Sequence, residues 1–104
     1  MTLDGNKSPR ALLLGVIRES SDEDSLHELD MLANTAGVSV VDKIPQGRDR
    51  IDPRFYIGRG KAKEVALVVD SLDIDMLICD DELSPVQIRN LEDIAQCQII
   101  DRTM

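Results

Sequence analysis

The sequence predicts a small α/β domain, with an open, mostly parallel four-stranded sheet and helices on both faces. Four short apolar runs alternate with three stretches of helical periodicity, which gives the order β-α-β-α-β-α-β. The runs are nearly continuous in apolar residues, as strands that are covered on both faces require. A chain of 104 residues is long enough for one core but too short for two independent domains. We expect the strand order 2-1-3-4.

The first strand and the first helix follow from residues 10–37. The run RALLLGVI, residues 10–17, has the length and the composition of a buried strand. Ser25 and Glu28 have the spacing of a capping box, which predicts a helix that begins at this serine. Gly37 suits its C-terminal end. The apolar face of this helix is predicted to comprise Leu26, Leu29, Leu32, Ala33 and Ala36.

A long connection separates the second strand, residues 38–44, from the second helix. Residues 45–60 contain two prolines and three glycines, and the helical periodicity resumes at Lys61. Loops of this length are uncommon in small domains and are often functional. The apolar face of the second helix is predicted to comprise Val65, Val68, Val69 and Leu72.

The third helix has the clearest start signal in the chain. Ser84 occupies the cap position, Pro85 follows as the first helical residue, and Gln87 completes a capping box. Strands at residues 75–80 and 97–101 flank this helix. Residues 1–9 are predicted to be a flexible leader and residues 10–104 one domain. A sequence that stops directly after a strand leaves the last sheet edge uncovered, which indicates either a longer parent or a naturally short version.

The net charge is −8, which disfavours general affinity for nucleic acid, but the charge is distributed unevenly. Residues 43–63 contain two acids and seven basic residues, namely Lys43, Arg48, Arg50, Arg54, Arg59, Lys61 and Lys63. Basic charge is therefore concentrated in one connection of an otherwise acidic chain. A binding surface and an ordinary solvated face both fit this pattern.

The glycines beside Lys61 invite comparison with phosphate-binding loops. A P-loop that ended at Gly60 and Lys61 would need Gly at position 55 and Ser or Thr at position 62, which are occupied by Phe55 and Ala62. A dinucleotide-binding fingerprint is excluded because its third glycine is absent. A weaker anion site remains, formed by backbone N–H groups at a helix start together with nearby Arg and Lys. The alternative is that the glycines only permit a tight turn.

The remaining candidate chemistry predicts no catalytic or metal centre. Cys79 and Cys97 lie in apolar runs and are expected to be buried strand thiols in a reducing, cytoplasmic protein. His27 has no nucleophile placed beside it and is expected on the surface. Acidic residues after the first and third strands could approach each other as Mg²⁺ ligands, but helix N-terminal acids explain them better. No apolar run has the length of a membrane span, and no secretory signal is recognisable.

Three sequence blocks together identify a resemblance that covers residues 10–104. The first is YIG followed by GK, residues 56–61; the second is ELSP with the Q and RNL that follow, residues 82–91; and the third is DRT, residues 101–103. In this order they resemble the N-terminal domain of the HflX-family GTPases.

The resemblance implies a parent protein that continues into a helical hairpin and a GTP-binding domain. It also implies association with the large ribosomal subunit, a link to the splitting of stalled ribosomes under stress, contact with ribosomal RNA, and an adenine-nucleotide site in the N-terminal part. Because this chain contains no Walker loop, we expect it to be non-catalytic and to hold no cofactor. GTP and Mg²⁺ are expected only in the parent's GTP-binding domain.

The residues expected to contact RNA or phosphate lie in the basic connection. They are Arg48, Arg50, Arg54, Tyr56, Gly58, Arg59, Gly60, Lys61 and Lys63. Phe55 and Tyr56 could stack on a base, although we expect at least one of them to pack on the sheet. A second group of residues from the family blocks is assigned a structural role. It comprises Ser84, Gln87, Arg89, Asn90, Asp101 and Arg102.

The sequence thus predicts a ribosome- or rRNA-facing module of an HflX-like translational GTPase. Two alternatives stay open. One is an independent domain that binds ATP or GTP phosphate through the turn at residues 58–63. The other is a structural domain that docks on other parts of its parent or self-associates. The sequence leaves the oligomeric state undetermined.

Overall fold

A computed structural model describes residues 8–48 and 50–103. The predicted leader, residues 1–9, therefore lies mostly outside the described residues. Four strands and three helices alternate along the chain, as predicted. Their bounds are β1 Arg10–Ile17, α1 Ser20–Thr35, β2 Ser39–Gly47, α2 Arg59–Ser71, β3 Met76–Cys79, α3 Pro85–Ala95 and β4 Gln98–Ile100.

The four strands form one parallel sheet in the order β2-β1-β3-β4, which confirms the predicted fold and strand order. β1 pairs with β2 along its whole length, from Arg10 to Ile17. Its pairing with β3 ends earlier, at Leu14 and Cys79. β1 therefore extends beyond β3 at the carboxyl end of the sheet and leaves room there for another segment.

The helices cover both faces of the sheet because the side chains of β1 alternate between them. Leu12, Leu14 and Val16 belong to the larger apolar cluster, which contains the buried residues of α2 and α3. Ala11 and Leu13 face the opposite way, into a smaller cluster that contains buried residues of α1. The body thus has three layers, with α1 alone on one side.

Helix α1 begins earlier than the capping-box spacing predicted. Its N-cap is Glu19, not Ser25. The carboxylate of Asp22 turns back and accepts hydrogen bonds from the backbone N–H groups of Arg18, at 2.8 Å, and Glu19, at 3.1 Å. These contacts use donors that a helix start leaves unpaired. The end of the helix is as expected, because Gly37 follows the C-cap with φ +86°.

The predicted apolar face is mostly correct for α2, where Val65 and Val69 are buried and Val68 packs against the core, whereas Leu72 is 38% exposed. In α1 the prediction is partly wrong, since Leu26 and Ala33 are buried whereas Leu32 is 57% exposed. One leucine of α1 therefore lies outside the core.

Strand β2 continues to Gly47, past the predicted end at residue 44. Its pairing with β1 explains the extension, because Pro45 and Gly47 lie opposite Gly15 and Ile17. The strand tolerates this proline because it lies at the edge of the sheet, where a backbone donor on the outer side is dispensable.

Both cysteines are free thiols, but the prediction of a buried strand thiol is correct only for Cys79. Cys79 is buried at the end of β3, and Cys97 is half-buried just before β4. Burial raises the pKa of both thiols. Within residues 8–48 and 50–103, every helix is too short or too polar to cross a bilayer.

Candidate functional site

The basic connection lies at the carboxyl end of the sheet. We call residues 48–58, between β2 and α2, the link. It begins where the N–H of Arg48 donates to the carbonyl of Ile17 at the end of β1, at 3.3 Å. It ends at Gly58, the N-cap of α2. Open α/β sheets hold their ligands at this end, where the connections from strand to helix meet.

A closed turn forms the centre of the link. The backbone groups of Asp52 and Tyr56 exchange two hydrogen bonds of 2.9 Å. Inside this turn the carboxylate of Asp52 accepts from the N–H groups of Phe55, at 2.7 Å, and Arg54, at 2.9 Å. These hydrogen bonds, first of all the one from Phe55, lower the pKa of Asp52. The turn therefore has a fixed shape despite its position in a long connection.

Tyr56 closes the turn with φ +64°, a left-handed conformation that is unusual for a bulky residue. Its side chain is fully buried and belongs to the larger core cluster. Its hydroxyl donates to a carboxylate oxygen of Asp81, just beyond β3, at 2.7 Å. The other carboxylate oxygen of Asp81 pairs with Arg18 at 3.1 Å. Tyr56 therefore binds the link to the ends of two strands.

This burial corrects the interpretation of Tyr56 as a residue that contacts RNA. A ring with no exposed surface cannot stack on a base. Phe55 is half-buried and packs against the same core cluster. The expectation that at least one aromatic ring packs on the sheet is confirmed.

Two amide side chains of α3 hold the turn from the other side. The Nε2 group of Gln87 donates to the carbonyl of Asp52 at 2.8 Å, and the Nδ2 group of Asn90 donates to the carbonyl of Arg54 at 3.0 Å. Gln87 also completes the predicted capping box with Ser84. The sequence suggested this capping role but gave no sign of the contacts with the link.

Arg48 has structural partners within the link. Its guanidinium donates to the carbonyl of Arg50 at 3.1 Å and to that of Ile57 at 3.5 Å, and lies 3.9 Å from the carboxylate of Asp52. It also lies against Gly58, where a Cβ atom would collide with it. Gly58 is buried and has φ +93°. Gly58 thus permits a tight, crowded turn, which is the role that the sequence suggested as the alternative to an anion site.

Four of the other five predicted cations point to solvent. Arg50, Arg54, Arg59 and Lys63 are exposed and form no ion pair with any described residue. Lys61 is half-buried and lies 3.9 Å from the largely exposed carboxylate of Glu64, a distance at which the attraction is weak. We call these five side chains the cationic surface.

The helical repeat places the cations of α2 around its first turns. Arg59 and Lys63 are four residues apart and share one flank of the helix, next to the buried stripe, while Lys61 lies on the other flank. Ala66 and Asp70 line a groove together with Ile94 of α3. They share the flank of Arg59 and Lys63, so this flank faces α3. Helix α3 also carries Asn90, whose side-chain amide donates to the carbonyl of Arg54.

Lys43 belongs to the basic stretch in sequence but not to the cationic surface. It lies in β2 and pairs with Asp30 of α1 at 3.3 Å. This contact directs its charge toward the face that α1 covers. Arg89, which was predicted to have a structural role, is exposed on α3, and its side chain makes no hydrogen bond or ion pair with a described residue.

The residues of the last family block connect the strand ends. The guanidinium of Arg102 donates to Asp80 at 2.8 Å and to the hydroxyl of Ser25 at 2.8 Å. Asp101 is buried and accepts from the N–H of Leu83 at 2.7 Å and from the hydroxyl of Thr103 at 2.7 Å. Burial alone would raise the pKa of Asp101, but its donors outweigh this effect and lower it.

These contacts also account for the acidic residues considered as Mg²⁺ ligands. Asp80 and Asp81 are occupied by Arg102 and Arg18, and Asp22 caps α1. In the part of the chain that the structure describes, no three metal-ligating side chains form a cluster suited to a cation. His27 is exposed on α1, as expected.

Comparison with known proteins agrees with the sequence blocks. A family described as GTP-binding GTPase N-terminal matches residues 23–104. Proteins named GTPase HflX are similar to the chain, with 44% identity over 89% of it in Lacrimispora saccharolytica and 36% over 82% in Escherichia coli (strain K12). In Thermococcus kodakarensis the identity is 37% over 86% of the chain.

The chain spans only 20–23% of the length of these three relatives. The matched part corresponds to the N-terminal region of such proteins, as the description of the family states. On the evidence of its fold, its sequence blocks and these matches, the chain belongs to the GTP-binding GTPase N-terminal family and corresponds to the N-terminal domain of HflX-type GTPases.

Proposed function

We propose that this domain is a non-catalytic module that docks an HflX-like GTPase on ribosomal RNA of the large subunit, in the cytoplasm. The observation that carries the proposal is the cationic surface, five Arg and Lys side chains collected at one end of a chain of net charge −8. Phosphate contacts require accessible cations at the point of contact and not a basic protein overall.

The distribution of the remaining charge supports docking in one orientation. The first turn of α1 carries Asp22 and Glu23 at the same end of the sheet as the cationic surface but on the opposite face, because α1 and α2 cover different faces. An RNA surface repels these acids while it attracts the cationic surface. Charge complementarity of this kind increases the association rate and disfavours wrong orientations.

The alternative of an independent nucleotide site receives less support from the geometry. Gly58 is crowded by the guanidinium of Arg48, and no atom of a described residue lies within 4 Å of the position that a Cβ atom would take at Gly60. At Gly60 the first turn of α2 therefore has no neighbouring atoms, in the described part of the chain, that would enclose a ligand. Nucleotide sites are concave and bury most of their ligand.

Cosedimentation with large ribosomal subunits at two salt concentrations tests the proposal. We expect the chain to pellet with the subunits at low salt and less at high salt, because phosphate contacts release counterions. The charge reversals Arg54→Glu, Arg59→Glu and Lys61→Glu, combined in one variant, should abolish pelleting. Lys43→Glu is the matched control, because it reverses a cation outside the cationic surface. Absence of pelleting at low salt, or equal pelleting of both variants, would contradict the proposal.

A further inference from the structure

We infer that the cationic surface recognises the phosphates of base-paired RNA in preference to single-stranded RNA. This inference rests on the proposed function and specifies the class of RNA. It follows from two features of the link: one of its two aromatic rings is buried and the other is half-buried against the core, and its cations are held on a fixed backbone.

Single-stranded RNA is usually bound through its bases as well as its phosphates. A base stacked on an aromatic side chain strengthens binding by about five- to one-hundred-fold. The only aromatic residues of the chain are Phe55 and Tyr56. Tyr56 has no exposed surface, and Phe55 packs against the core. The cationic surface therefore offers an unstacked base no more than the exposed part of the Phe55 ring.

The backbone that carries the cations is fixed at three points. Asp52 and Tyr56 close the turn, and Tyr56 is bound to Asp81. The carbonyl of Arg54 accepts a hydrogen bond from Asn90. This contact fixes the backbone of Arg54, whose side chain is exposed. Arg59 is fixed by its position in the first turn of α2. The backbone positions of these cations are thus set before any ligand binds.

Cations carried on a fixed backbone favour a ligand whose charges are also fixed. Double-helical RNA presents its phosphates in a regular, rigid geometry and is recognised mostly through shape, phosphates and 2′-hydroxyl groups. A flexible strand must give up conformational freedom to match the same array, and this cost lowers its affinity. The surface therefore suits the helical parts of a folded RNA.

Equilibrium binding of the 104-residue chain to two RNA probes tests the inference. One probe is a duplex of about 16 base pairs, the span of known duplex-binding domains. The other is an unpaired oligouridine strand with the same number of phosphates. We expect the duplex to bind at least about tenfold more tightly, the factor that one missing stacking contact represents.

The variant Asn90→Ala separates the fixed backbone from the charge. It removes one hydrogen bond to the link and leaves every cation in place, so duplex affinity should fall about two- to tenfold. Its salt dependence and its affinity for oligouridine should stay unchanged. Gln98→Ala, a neutral exposed residue of β4 away from the link, is the matched control.

Each outcome bears on a separate claim. Equal or tighter binding of oligouridine by the wild-type chain overturns the inference and leaves RNA docking intact. A duplex preference that Asn90→Ala does not reduce overturns the role assigned to the fixed backbone. Failure to bind either probe at low salt overturns the proposed function and this inference together.

Discussion

At the scale of single residues, the position of Tyr56 decides how the basic connection is organised. Its ring fills the space beyond the end of β3, and its hydroxyl binds the carboxylate that also pairs with Arg18. The sequence predicted the packing of an aromatic residue but not its partner, since Asp81 is 25 residues away. Composition can indicate that a ring is buried, but it does not identify the acceptor of its hydroxyl group.

Replacing Tyr56 with Phe should lower the free energy of unfolding by about 1–2 kcal/mol, near the lower range for hydrogen bonds to charged groups because Asp81 is partly exposed. Urea denaturation at neutral pH measures this difference. Tyr56→Ala, which also empties the space that the ring fills, should cost about 3–5 kcal/mol. A Phe variant as stable as the wild-type chain would show that the hydroxyl contact contributes nothing.

The same residue predicts an effect of alkaline pH. Burial, with the contact to Asp81, raises the pKa of Tyr56 well above its usual value. Because the pKa of Tyr56 is higher in the folded chain than in the unfolded chain, where it is about 10, the protonated hydroxyl stabilises the fold fully below about pH 10. This contribution is lost as the pH rises toward the pKa of the folded chain. The wild-type chain should therefore lose stability above about pH 10, and Tyr56→Phe should lose less. Parallel losses in the two proteins would contradict this account.

At the scale of the elements, the first turn of α2 distinguishes two glycines that look alike in the sequence. Gly58 has φ +93° and touches Arg48, whereas Gly60 is helical with no atom near the position of a Cβ. Gly58→Ala should therefore destabilise the fold by about 1–3 kcal/mol. Gly60→Ala should stabilise it by about 0.5–1 kcal/mol, because alanine favours a helix over glycine.

Midpoints of urea unfolding at constant slope measure both changes, and each glycine variant serves as the control for the other. Equal effects of the two substitutions would mean that the turn at Gly58 can relax around a side chain. The glycines would then give no reason to regard the link as fixed.

The contacts between strand ends predict an effect of acidic pH. Asp101 accepts hydrogen bonds from Leu83 and Thr103 with both carboxylate oxygens. Asp101→Asn leaves one of these donors without an acceptor and should cost about 1–3 kcal/mol at neutral pH. Because the folded pKa of Asp101 is lowered, its contribution is present above the unfolded value, about 3.9, and disappears as the pH falls below it.

Unfolding measured from neutral pH to about pH 2 should therefore show the wild-type chain and Asp101→Asn converging below about pH 4. Thr35→Ala, a substitution at the exposed end of α1, serves as a control that does not involve a carboxylate. A difference between the Asp101 proteins that stays constant into acid would contradict the role given to this carboxylate.

The elements also show where sequence patterns suffice. The order of the strands and the start of α3 follow from apolar runs and from one well-formed capping box. The predicted start of α1 at Ser25 is wrong because two residue pairs, Ser25–Glu28 and Glu19–Asp22, both have the spacing of a capping box. Glu19 and Asp22 form the helix start, whereas Ser25 accepts a hydrogen bond from Arg102, a residue from the opposite end of the chain.

At the scale of the whole molecule, the sheet brings the basic residues to one end. In a parallel sheet each helix begins where a strand has ended, so the link and the first turns of α2 lie at the carboxyl end together. The sequence predicted this concentration of charge but could not separate exposed cations from those with structural partners. Arg48 holds the link, Lys43 pairs with α1, and the cationic surface consists of the rest.

The central claim is that the cationic surface binds phosphates, and the salt dependence of ribosome binding tests it most directly. The logarithm of the association constant for large subunits should fall linearly with the logarithm of salt concentration. Combining Arg50→Gln, Arg54→Gln and Arg59→Gln should reduce this slope by about two to three, because each lost phosphate contact reduces it by about 0.7–0.9. Lys43→Gln should leave it unchanged. A triple variant that binds with the slope of the wild-type chain would contradict the claim.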